Sequence, residues 1–167
     1  MEIKQLMKNF AFNGKVEWLS YRPGPTSRGS IEMVDIIEVT EKKGIVGDRY
    51  RGTSRNRQIT IIQAEHIEAV AKMLHKDGID PALLRRNIVV SGINLLAFNN
   101  ETFQIGEVIL KMTGYCHPCS RMEENLGLGG YNAMRGHGGI TCMVIQGGKI
   151  KIGDEVSPTQ NIIPQPS

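Results

Sequence analysis

The sequence predicts a mainly β single domain, with a few helices and a sheet curled toward a barrel. Short runs rich in Ile and Val recur along the chain, separated by many of its 19 glycines. A strand run passes directly into an amphipathic helix at only one place. Neither G-x-G-x-x-G after a strand nor G-x-x-x-x-G-K-[ST] occurs anywhere, so a nucleotide-binding parallel fold lacks its phosphate cradle. Curling the sheet protects edges that short strands would otherwise expose.

In chain order the strand runs are Ile31–Val39, Arg57–Ile62, Asn87–Val90, Phe103–Met112, Ile140–Ile145 and Lys149–Val156. After Ile62 the period changes: Ala64, Ile67, Val70, Ala71 and Leu74 fall on one helical face, and Asp77-Gly78 marks its stop. A short second helix is expected after Pro118, through Arg121 to Leu126, with Gly127 accepting the left-handed cap. Gly pairs at 129–130, 138–139 and 147–148 suit a tight meander whose last turn is Gln146–Lys149. The segment 158–167 reads as a loose tail.

Composition limits the functional classes. At 167 residues, 40% hydrophobic and 22% charged, the chain can bury a core, which excludes a disordered or collagen-like polymer. A net charge of +3 is too small for a chain built to coat nucleic acid. Lys4, Lys8 and Lys15 interrupt the N-terminal region, so no signal peptide or membrane span is expected. Three cysteines, an odd number in a chain that needs no staples, fit a reducing compartment, and the expected location is cytoplasmic.

Cys116-His117-Pro118-Cys119 is the first chemical feature. It lies where a strand ends and a helix begins, and unpaired N–H groups there, with Arg121 nearby, favour a thiolate. Such a thiolate serves as nucleophile, persulfide carrier, redox thiol or soft-metal ligand; the plain alternative is two packing cysteines. C-x-x-C spacing also permits a disulfide. Cys142, inside the strand Thr141–Ile145, reads as a buried apolar residue.

The second feature is basic: Lys42, Lys43, Arg49, Arg51, Arg55 and Arg57, interspersed with Gly44, Gly47 and Gly52. Guanidinium forks pair bidentately with phosphate, and glycine lets backbone approach a ligand, so an anion trap competes with a solvated loop. Asp48 is either a carboxylate orienting an arginine or a turn former. Arg85-Arg86-Asn87 leads into the apolar strand Ile88-Val89-Val90, which fixes polar groups at a barrel mouth. His66 and His75 read as ordinary helix residues. His137, in Arg135-Gly136-His137-Gly138-Gly139, belongs either to a ligand-closing loop or to a mobile turn.

In order and spacing, these pieces resemble the MOSC domain, the module at the C-terminus of molybdenum cofactor sulfurases. The matching segments are Gly44–Arg49, Arg57–Thr60, Arg85–Val90 with Gly92, Phe103–Gly106, Pro118-Cys119, and Gly147–Ile150 with Ile152–Asp154, so the likeness spans nearly the whole chain. It implies a β-barrel-like fold and a molybdenum cofactor (molybdopterin). Cys119 inherits the role of metal or sulfur ligand. Arg85 and Asn87 match family residues that hold the cofactor's anionic end, and Asp48, Arg49 and Arg57 match further motif positions. Tyr50 departs from the His that many relatives carry, and the resemblance does not extend to the N-terminal β module of the amidoxime-reducing relatives.

The function so implied is reduction of N-hydroxylated compounds at a Cys119-ligated molybdenum. The alternative is a carrier, either of persulfide sulfur on Cys119 or of the cofactor itself, without turnover. Expected partners are a small-molecule substrate or sulfur donor and an electron-transfer or cofactor-biosynthesis protein, with no nucleic acid and no membrane.

Overall fold

A computed structural model describes residues 1–25 and 29–159. In chain order its strands are β1 (Gly14–Tyr21), β2 (Glu32–Val34), β3 (Ile36–Thr40), β4 (Gly44–Ile45), β5 (Ile59–Gln63), β6 (Ile88–Ser91), β7 (Thr102–Ile105), β8 (Val108–Tyr115), β9 (Ile140–Gln146), β10 (Gly148–Lys151) and β11 (Glu155–Pro158). The helices are α1 (Ile3–Leu6), α2 (Ala64–Met73), α3 (Ser120–Leu126) and α4 (Gly130–Met134).

Seven strands close into a barrel in the order β11-β7-β8-β9-β5-β6-β1, sealed where β1 pairs with β11 at Gly14–Val156 and Lys15–Glu155. β2 extends β1 outside the ring, while β10, β3 and β4 form a smaller sheet. β5 and β6 run parallel, joined through α2, and the other pairings are antiparallel. The mainly β barrel expected from the sequence is thus present, with one βαβ unit built into it.

Alternation along two strands explains the layering. Ile59 and Ile61 of β5, with Ile88 and Val90 of β6, enter the barrel core beside Val16, Leu19, Phe103 and Leu110. Ile62, next to Ile61, and Val89, between Ile88 and Val90, face outward and pack against Ile67, Val70, Met122, Leu126 and Met134 of the helices. Burying each such side chain contributes about 1.5–3 kcal/mol. Phe98 stacks on Phe103 at 4.6 Å and on Phe10 at 5.0 Å, tying the N-terminal segment to the core.

Several expected strands are divided. Ile31–Val39 breaks at Asp35 into β2 and β3, which serve different sheets. Phe103–Met112 is the hairpin β7–β8, turning at Gly106 with φ +55°. Lys149–Val156 becomes β10 and β11, separated by a turn with Gly153 at φ +91°. Pro158 pairs with Phe103 and Thr159 hydrogen-bonds Thr102, so the expected loose end does not begin at 158; residues 160–167 lie outside those described.

Candidate functional site

The end of β8 delivers the two neighbouring cysteines. Cys116 donates its N–H to Gly139 O at 2.8 Å and is 1% exposed. Cys119 is exposed and caps α3, its carbonyl accepting from Met122 N at 2.9 Å. Both are free thiols, as is Cys142, whose burial in β9 pushes its thiol well up, as the apolar reading expects.

Two arginines brace this segment. Arg57 Nη2 donates to Cys116 Sγ at 3.5 Å. Arg86 is buried and donates from Nε to Gly138 O at 2.8 Å, from Nη1 to Leu84 O at 2.9 Å and from Nη2 to Cys116 O at 3.4 Å. Burial lowers its pKa most, and the nearby Cys116 and Cys119 oppose that effect. Gly138 must be glycine here, because a Cβ would stand 2.0 Å from Cys116 O.

Beside Cys119 lies a cluster of four guanidinium groups, from Arg22, Arg49, Arg85 and Arg121. Arg85 is held below its usual pKa first by burial, then by Arg121, Arg49 and Arg22, with Cys119 opposing. Arg49 is lowered by burial and by Arg22, opposed by Asp48, and lowered further by Arg121. Arg49 and Arg85 thus each sense Arg22 and Arg121, and four guanidinium groups from four separate segments share one region.

Local structure explains how they meet. Arg22 follows β1, and its carbonyl accepts from Arg49 N at 2.9 Å, joining the loop after β4 to the end of β1. Asp48 is nearly fully buried and takes Arg22 N at 2.7 Å, Arg22 Nη2 at 2.9 Å and Tyr50 N at 3.0 Å. Both readings of Asp48 are met: its carboxylate orients Arg22, which had no motif to mark it, and its bond from Tyr50 N, two residues on, closes an Asx turn. Arg85 ends the 3₁₀ turn Pro81–Leu84 in the left-handed conformation, φ 61°, a strain of about 1–2 kcal/mol. Its Nη2 reaches Gly29 O at 3.3 Å.

The other sequence candidates are distributed differently. Asn87 is 2% exposed; Oδ1 accepts from Thr60 N at 3.0 Å and from its hydroxyl at 3.1 Å, while Nδ2 points to Ser20 O at 3.5 Å. Its amide stitches β1, β5 and β6 together behind the arginine cluster. Arg55, at φ 62°, serves the fold, donating to Glu41 O and Val144 O. Arg51 returns to the carbonyls of Asp48 and Tyr50. His137 packs edge-on against His66, ring centroids 5.1 Å apart, so its loop is fastened to α2. His66, read from the sequence as an ordinary helix residue, packs against this loop, a partner that helical spacing alone does not reveal. α4 was missed too: Glu123 caps it by accepting from Gly129 N at 2.8 Å and Tyr131 N at 2.9 Å.

Among the described residues, no group of three or more His, Cys, Asp and Glu could hold a metal ion, so the chain offers a single exposed thiol beside an arginine cluster. No helix among them is long and apolar enough to cross a membrane.

The family model of the MOSC domain matches residues 45–157. The fold is similar to the crystal structure of the YuaD protein from Bacillus subtilis, with a TM-score of 0.72 and 21% identity over 87% of this chain and 94% of that one. YiiM from Escherichia coli matches with a TM-score of 0.65 and 18% identity, covering 89% and 71% respectively. YiiM from Geobacillus stearothermophilus matches with a TM-score of 0.68 and 13% identity, covering 90% and 77%. Among curated proteins, no match is found.

Proposed function

Because this chain belongs to the MOSC domain family, we propose that it binds the molybdenum cofactor and reduces N-hydroxylated compounds, with Cys119 as the ligand to the metal. The observation that supports this reading is the exposed Cys119 thiol at the edge of the Arg22, Arg49, Arg85 and Arg121 cluster. A soft thiolate suits a soft, redox-active metal, and guanidinium groups suit the phosphate of a pterin. The residues therefore fit the two ends of one cofactor.

When bound, the cofactor supplies two-electron reduction, which with two protons turns an N–OH group into N–H and water. The chain's share is binding and orientation. Cys119 fixes one end; Arg85 and Arg49, with Arg22 aimed by Asp48, hold the anionic end. Arg57 and Asn87 act at one remove, Arg57 on Cys116 and Asn87 on the sheet that carries Arg85. Arg86 holds the turn before Cys119 through Cys116 O and ties it to Gly138 O and Leu84 O.

A second reading, a carrier of sulfur or of cofactor that performs no turnover, draws support from the exposure of Cys119, which leaves its sulfur open to another protein. One assay separates the two. Protein purified from cells that make the cofactor is mixed with an N-hydroxylated amidine and a reduced viologen as electron donor. The reductase reading expects turnover that falls about 100-fold in Cys119→Ser, a barrier increase of about 2.7 kcal/mol. A loaded protein with no turnover favours the carrier.

A further inference from the structure

Cofactor binding as proposed uses one of the two cysteines in Cys116-His117-Pro118-Cys119. The other is placed with a specificity that packing alone does not require. Cys116 is 1% exposed, yet its sulfur receives a guanidinium N–H, Arg57 Nη2 at 3.5 Å, from a side chain on the exposed segment before β5. Its backbone is pinned on both sides, N–H to Gly139 O at 2.8 Å and carbonyl from Arg86 Nη2 at 3.4 Å. Every hydrogen bond described for the buried Arg86 guanidinium ends on a carbonyl oxygen, and the groups that favour its charge are the Cys116 and Cys119 sulfurs. Cys119, three residues on, is exposed and has no side-chain capping bond. One sulfur is thus open to solvent and the other shielded beneath an arginine, at the spacing that closes a disulfide.

We propose that Cys116 and Cys119 form a dithiol–disulfide couple oxidised by low-molecular-weight disulfides of the glutathione class, with Cys119 the attacking thiol and Cys116 the resolving one. In the first step the Cys119 thiolate attacks the external disulfide RSSR; a Cys119–SR bond forms, the S–S bond of RSSR breaks, and RS⁻ leaves. In the second step the Cys116 thiolate attacks Cys119 Sγ, forming the Cys116–Cys119 disulfide and expelling a second RS⁻. Two protein thiolates are oxidised and one RSSR is reduced to two thiolates, so the electrons balance. An external dithiol reverses the couple by attacking the exposed Cys119 sulfur, and the sulfur that then leaves is the one Arg57 touches. The closed form withdraws Cys119 from any metal. The couple itself does not depend on the cofactor reading, and buried Cys142 serves as an internal control.

The test incubates reduced protein with mixtures of glutathione and glutathione disulfide, quenches with acid, alkylates free thiols and maps them by mass spectrometry. The wild type is expected to reach the Cys116–Cys119 disulfide with little bound glutathione. Cys116→Ser, and independently Cys116→Ala, should accumulate glutathione on Cys119 in most molecules. Cys119→Ser should leave Cys116 reduced, and Arg57→Ala should prolong the mixed disulfide severalfold. The proposal is overturned if the wild type accumulates as much mixed disulfide as the Cys116 variants, or if Cys119 does not react. Failure of the cofactor reading appears separately, as missing molybdenum in protein kept reduced.

Discussion

Asp48 grips Arg22 at three points: Oδ1 accepts the backbone N–H at 2.7 Å and Nε at 3.2 Å, and Oδ2 accepts Nη2 at 2.9 Å. The Asp48 side chain is 2% exposed and that of Arg22 26%, so the pair is fixed on its inner side and leaves Arg22 partly open beside Arg49 and Arg85. In the proposed cofactor site this carboxylate aims one of the cations. Replacing Asp48 with Ala should cost about 2 kcal/mol of stability, read from urea denaturation, because charge-assisted bonds in part-buried ground are lost. It should also weaken binding of inorganic pyrophosphate, used as a probe anion. A variant with unaltered pyrophosphate affinity would remove Arg22 from the site.

Asn87→Ala tests the sheet behind the cluster. It strips the acceptor from Thr60 N–H and the Thr60 hydroxyl, both buried. The expected loss is about 1–3 kcal/mol, a fall in melting temperature on the order of 2–10 °C for a domain of this size. With purified holoprotein, bound cofactor should change less than in Arg85→Gln. The reverse order would mean that Asn87 touches the ligand.

These two residues show what the sequence can and cannot disclose. Arg85-Arg86-Asn87 stood out as a polar triplet entering an apolar strand, but its division of labour did not. Arg86 and Asn87 turn inward to carbonyls and to Thr60, while Arg85 turns out through a left-handed φ of 61° that an arginine does not advertise. β1 escaped notice for a related reason. The register shifts between Val16 and Trp18, so Val16 and Leu19 both face the core although they are three apart, and strict alternation fails. Long-range partners such as Arg22 for Asp48, 26 residues away, carry no local signal at all. The barrel itself was legible because Ile and Val runs and positive-φ glycines act locally.

Two glycines of the loop after α4 should respond differently to the same change. Gly138→Ala puts a Cβ 2.0 Å from Cys116 O, so the backbone before Cys119 has to move. Gly136, at φ +79°, has open space around it and meets only conformational strain, about 1 kcal/mol. Denaturant titration should therefore show a larger loss for Gly138→Ala, and iodoacetamide should alkylate Cys119 at an altered rate only in that variant. Equal effects would separate the loop from the cysteine segment.

Partial burial of His66, edge-on to His137, should make part of the stability depend on pH. His66 lies below its ordinary value of 6.5, through partial burial first and His137 second, against a smaller opposing effect of Glu65. The unfolded chain then binds protons more readily than the folded one, so this stabilisation is complete above about pH 6.5 and is lost as pH falls through the depressed folded value. Melting temperatures at pH 7.5 and pH 5.5 should differ less in His66→Gln than in the wild type. An unchanged difference would assign the pH dependence elsewhere.

On the proposed function, Cys119 and the arginine cluster hold opposite ends of one cofactor. The most direct test measures molybdenum and pterin per protein in wild type, Cys119→Ser and Arg85→Gln, all purified under reducing conditions from cells that make the cofactor. Near-stoichiometric metal and pterin are expected in the wild type, with metal lost and some pterin retained in Cys119→Ser, and both reduced in Arg85→Gln. Wild-type protein free of both, or a Cys119→Ser variant that keeps its molybdenum, would contradict the account.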